Sequence, residues 1–126
     1  MKTTLTLLLL ISATFAVNAQ TWVAPKSADA IENPLKGNTD AIKKGKKLFT
    51  SMCVICHGAK GKGDGIAGAA LNPKPANFTS KTVQAQSDGV LFWKLTNGNA
   101  PMASYKELLT EEQRWQLVNY LRTFKK

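Results

Sequence analysis

Both cysteines of the chain and its only histidine stand within five consecutive residues, Cys53-Val54-Ile55-Cys56-His57. Any fold of this chain must therefore present two thiols and one imidazole at a single place. A disulfide between Cys53 and Cys56 closes only a tiny loop, and loop closure is where disulfide stabilisation is thought to arise. A thioredoxin-like redox pair expects the strand-helix setting of a βαβ fold, and no stretch of this chain alternates convincingly with period two. Structural zinc wants four ligands of Cys, His or carboxylate type, and no second Cys or His pair follows. Covalent haem attachment uses all three side chains. In C-x-x-C-H each thiol adds to a vinyl group at the macrocycle edge, and the next residue reaches the iron. Cys53 and Cys56 are then the attachment points and His57 the proximal ligand.

The flanking sequence reads as helical. Asn38 or Thr39 is an N-cap, Asp40 sits in the first turn, and positions 41, 42, 45, 48, 49 and 52 repeat at helical spacing, which predicts a helix over 39–53. The run from Gly58 to Phe78 is rich in glycine and holds Pro73 and Pro75, so it is loop rather than regular structure. Ser87 as cap and Gly98 as stop bracket a second helix over 87–97. Thr110, followed three residues later by Gln113, signals a capping box and a last helix over 110–124. The fold class expected is mainly α, with three to five helices and no sheet.

Residues 1–19 have the form of a secretory signal: Lys2, an apolar core from Leu5 to Ile11, and a small-residue site at Val17-Asn18-Ala19. The apolar stretch is shorter than the roughly 20 residues a spanning helix needs. Cleavage after Ala19 places the mature chain in the periplasm or outside the cell, where an oxidising environment is expected. That leaves 107 of the 126 residues and, once Lys2 is removed, a net charge of +8 instead of +9. Residues 20–37 carry Pro25 and Pro34 and read as an extended arm with Trp22 as its anchor; residues 38–126 form the domain. A domain of this size has a modest core and gains from a cofactor. The basic balance points to acidic partners. The basic residues lack the interleaved aromatics of single-strand nucleic-acid binding.

Three segments resemble the class I cytochromes c, most closely the small soluble monohaem proteins of bacterial periplasms. They are "CVICHG" after an amphipathic helix, the loop "GKGDGIAGAALNPKPANF", and "NGNAPMASY". The resemblance covers most of the mature chain and implies helices wrapped around one covalently attached haem c. His57 being the only histidine, the sixth ligand must be another residue type. Met1 leaves with the signal and Met52 adjoins Cys53, which leaves Met102, although Pro101 precedes it where the family usually has a proline following. Met/His ligation raises the potential of a haem. The resemblance further implies that a proline carbonyl holds the His57 ring, with Pro73 the candidate and Pro75 the alternative. It also implies that the first and last helices cross at Gly45. Trp93, with Phe92 and Leu95, is expected to wall the haem, and Trp115 to cover an edge.

A haem ligated on both faces has no open position, so the resemblance implies a one-electron carrier rather than an enzyme, a monomer or a partner in a weak complex. Lys43, Lys44, Lys46 and Lys47, with Lys60, Lys62 and Lys74, would steer it toward acidic redox proteins. Two rivals remain: a dedicated electron-entry subunit of a larger oxidoreductase, docked through the arm, and an open-site sensor or peroxidase-like enzyme.

Overall fold

The computed structural model describes residues 22–126; the signal-peptide reading of residues 1–19 lies outside the described residues. Helix α1 (Thr39–Met52) begins where the Asn38 side chain accepts from the Ala41 amide, and it buries Ala41, Gly45 and Phe49 at every fourth position. Helix α5 (Glu111–Arg122) starts with the expected capping box, in which Thr110 and Gln113 each accept from the other's amide. These two helices make the most extensive contact in the molecule. They meet at Gly45, where a Cβ would overlap the Gln116 backbone carbonyl, so only glycine permits the approach.

Around that crossing Phe49, Leu117 and Val118 are at most 1% exposed. Each such side chain contributes about 1.5–3 kcal/mol through burial. Helix α4 (Asp88–Asn97), capped by Ser87, adds Leu91 and Leu95 to the same core. Phe92 of α4 stacks on Trp115 of α5 at 4.0 Å between centroids and 12° between planes. Trp115 is thus a core residue between α4 and α5, 2% exposed. Between α1 and α4 lie two single helical turns, α2 (Val54–His57) and α3 (Lys81–Gln84), separated by the glycine-rich loop. Helix α3 was not legible in advance because four residues carry no periodicity. Among the described residues there is no sheet, only an isolated antiparallel bridge between Asn99 and Met102.

The segment read as an extended arm is not extended. Residues Lys26–Ala30 form a 3₁₀ turn packed on α4, with Ala28 1% exposed. Its prolines bracket this turn instead of stretching the chain, because the turn finds a cleft in which to bury Ala28.

Candidate functional site

Helix α1 ends at Cys53, where the backbone (φ −111°, ψ −30°) hands over to α2. The Cys53 carbonyl accepts from the His57 amide at 2.8 Å, and the Val54 carbonyl from that of Gly58 at 2.8 Å. Residues 53, 56 and 57 therefore stand at i, i+3 and i+4 of one helical turn, a spacing that puts their side chains on one face. The two thiols are not joined. Cys53 is buried, and burial, with Cys56 beside it, pushes its thiol up to about 11.

The His57 ring is 9% exposed and stacks on Phe78 at 4.5 Å and 27°. Its Nδ1 lies 3.0 Å from the carbonyl oxygen of Ala76. This corrects the expectation for Pro73 and for its alternative Pro75: the acceptor comes one residue after the second proline. The Pro75 carbonyl is turned instead against Gly63, and the Phe78 amide donates to Gly61 at 2.7 Å, which fixes the register of the returning strand of loop. Burial lowers the pKa of His57, partly opposed by the Ala76 bond, so the ring is held neutral with Nδ1 as donor and Nε2 unclaimed.

The glycine-rich loop is bonded to the backbone of α2. Gly63, Gly65 and Ala67 donate their amides to His57, Cys56 and Ile55 at 2.8, 3.1 and 2.9 Å. All three carbonyls at the end of α2 are thereby satisfied by the loop, as a short helix buried in a site requires.

Met102 is partly buried and packs against the core, in the segment between α4 and α5. It exchanges two backbone hydrogen bonds with Asn99, at 3.0 and 2.9 Å. Ser104 Oγ donates to the Thr96 carbonyl at 2.7 Å and the Tyr105 amide to that of Leu95 at 3.0 Å, which tie the segment back to α4. Trp93 is half-buried on α4 and stands outside the core cluster, whereas Leu95 belongs to it. Met52, at the last residue of α1, packs against the same core.

Three residues that the sequence did not single out belong to the site or its support. Phe78 covers one face of the imidazole. Tyr105 packs against the core cluster that includes Cys53, and its phenol is pushed up by burial and then by the Cys53 and Cys56 sulfurs. Arg114 is 8% exposed, donates to Thr96 Oγ1 at 3.1 Å and lies 5.0 Å from the Phe92 ring centre, bracing α5 on the end of α4. A buried arginine in a capped amphipathic helix has no periodicity signal of its own. Among the described residues no three Cys, His, Asp or Glu side chains converge as a metal cluster, which leaves the zinc reading without a ligand set.

A mainly helical fold that buries a histidine beside two unjoined thiols on one turn defines a c-type cytochrome. Residues 40–121 match the family model described as cytochrome C oxidase, cbb3-type, subunit III, and the chain belongs to that family. Among solved structures it is similar to a chain of the reducing HAO-like protein complex of Kuenenia stuttgartiensis, with 27% identity and a TM-score of 0.66. That match covers 74% of this chain and 47% of the other, so the present chain spans about half the length of that relative. A second similar structure is the KustC0563 c-type cytochrome, at 32% identity and a TM-score of 0.56, covering 65% of this chain and 98% of that one. No curated protein matches.

The family implies a covalently bound haem with its iron, and haem-based electron transfer. The residues fit that group: two free thiols to attach it, and an imidazole whose Nδ1 is occupied and whose Nε2 is free to ligate. No helix among the described residues is long and apolar enough to cross a membrane.

Proposed function

We propose that the protein is a one-electron carrier working outside the cytoplasm, with a single haem c attached through Cys53 and Cys56 and ligated by His57 and Met102. The observation that carries this reading is the His57 ring, buried, oriented by Ala76 and adjacent to both thiols. Haem c supplies reversible one-electron chemistry at its iron. The chain holds the ring by two sulfurs, orients the proximal imidazole through the Ala76 carbonyl, and excludes water with Phe78, Leu91 and Leu95. Met102 closes the second face, which leaves no position for a substrate and makes the role one of transfer rather than catalysis. Trp93 extends the wall on α4. The secretory reading of residues 1–19 and the domain 38–126 complete this assignment.

Lys43, Lys44, Lys46 and Lys47 are exposed, as are Lys60, Lys62 and Lys74. The pair Lys43–Asp40 is 3.5 Å apart with both side chains 78% exposed, so it neutralises little of this charge. The resulting basic surface would steer acidic redox proteins, with association slowing as salt rises.

The test is the optical spectrum of haem-loaded protein, oxidised and reduced. A weak absorption band toward the red, from sulfur bound to ferric iron, is expected and should vanish in Met102→Ala. Its absence from the unsubstituted protein, or ready uptake of carbon monoxide by the reduced form, would overturn the closed-site carrier in favour of a sensor or peroxidase-like enzyme. Similarity to a chain of the reducing HAO-like protein complex favours a second reading, a dedicated electron-entry subunit. Co-purification with a larger oxidoreductase at low salt distinguishes it from a diffusing carrier.

A further inference from the structure

The family match begins at residue 40, yet the residues before it are bonded along nearly the whole length of α4. Near Gly89 the two backbones touch: a Cβ there would overlap the Ala28 carbonyl and come within 2.7 Å of that of Ile31. Beside it, Asn33 Nδ2 donates to Asp88 Oδ2 at 2.8 Å, while Asn33 Oδ1 accepts from the Leu35 amide at 2.9 Å and from Asn119 Nδ2 of α5 at 3.4 Å. One side chain thus joins the N-terminal segment to both helices. Ser87 Oγ, the cap of α4, donates to Asp29 Oδ1 at 2.8 Å. Further along, the Lys94 ammonium lies 5.3 Å from the centre of the Trp22 ring. Helix α4 in turn carries the Met102 segment, through the bonds from Ser104 and Tyr105 to the carbonyls of Thr96 and Leu95.

We propose that residues 22–35 are a strap that fixes α4 and, through it, keeps Met102 on the iron, so that the hold on the distal ligand is set partly from outside the family domain. This rests on the reading of Met102 as a ligand. The segments that move independently in a protein are those with few buried contacts and short-range bonds. The Met102 segment packs against the core through Met102 and Tyr105 but has only short-range bonds, which reach into itself and the last turn of α4. Its opening is resisted by whatever holds α4, and the strap supplies contacts at residues 87, 88, 89 and 94. Asn33, Gly89 and Trp22 are accordingly positioning residues.

The experiment uses the full-length, haem-loaded ferric protein and imidazole, which can occupy the distal position only when Met102 leaves. Asn33→Ala and Gly89→Ala are expected to raise the rate of imidazole uptake about tenfold. They should also let the sulfur–iron band fade on warming well before the helical circular dichroism is lost. Tyr120→Ala, at the crossing of α1 and α5, is the control: it should lower the unfolding temperature without changing imidazole uptake at room temperature. Strap variants that merely lower the unfolding temperature, with uptake unchanged, would overturn the proposal, since that is what simple packing predicts. A sulfur–iron band missing from the unsubstituted protein would bring down the Met102 assignment and the strap with it. A band that is present but indifferent to both substitutions brings down the strap alone.

Discussion

The two faces of the proposed haem site are held in different ways. On the His57 side, the loop lies on α2 through amides of Gly63, Gly65 and Ala67, the ring is bonded by Ala76, and Phe78 covers it. On the Met102 side, the segment is held by one backbone exchange with Asn99, two bonds to α4 and the packing of Met102 and Tyr105 against the core. The first face is cross-linked over more than twenty residues of loop; the second is a short bridge leaning on one helix. With His57 and Met102 as the proposed ligands, the protein should lose Met102 from the iron first and His57 only with the fold.

The strongest way to break that comparison is to remove each proposed ligand in turn. His57→Ala should abolish stable haem-loaded protein, whereas Met102→Ala should still yield attached haem with an open distal face. The yield of covalent haem and the uptake of carbon monoxide read the two outcomes. Equal yields from both would show the faces to be equivalent. Phe78→Ala is expected to cost about 3 kcal/mol, because Phe78 is 8% exposed and touches His57, Phe49 and Phe124. Denaturant unfolding measures it, and the methionine band should persist until the protein unfolds. Thr110→Ala should cost about 1 kcal/mol by deleting the capping box. It weakens the scaffold shared by both faces and should leave the order of ligand loss unchanged.

The smallest effect under ordinary conditions is electrostatic. Burial pushes the Asp88 carboxyl up, but hydrogen bonds from Asn33 and Arg122 and the Arg122 charge outweigh it and hold the group below its ordinary value of 3.8. A depressed carboxyl stabilises the fold above that value, and the contribution is lost as pH falls through the folded-state value. The strap should therefore stay closed near neutrality, and ligand loss attributable to it should begin only below about pH 4. Asp88→Asn should remove that acid dependence. A strap opening between pH 5 and 7 would point to a different group.

Much of this arrangement was legible in the chain. Cys53, Cys56 and His57 are neighbours in sequence, so their grouping needed no knowledge of the fold. The caps Asn38, Ser87 and Thr110 act over three residues and were likewise readable. The acceptor for His57 was misplaced at Pro73 because a backbone carbonyl carries no side-chain identity, and the route of the loop decides which one arrives. Residues 20–37 were read as an extended arm because the partners of their described part, Gly89, Asp88 and Asn119, lie more than fifty residues away.

The amino-acid sequence by itself determined the chemistry that is local: two thiols and an imidazole on one turn, helix boundaries set by capping side chains, and the presence of Met102 as a methionine well removed from the attachment turn. Only the tertiary structure decided which carbonyl orients the histidine, that Phe78 stacks on it, and that the N-terminal segment packs along α4. The reason is physical. Caps and helical turns are completed by residues within four positions, whereas each of these later features needs two distant stretches of backbone to meet, at Gly45, Gly61 or Gly89, before any contact forms.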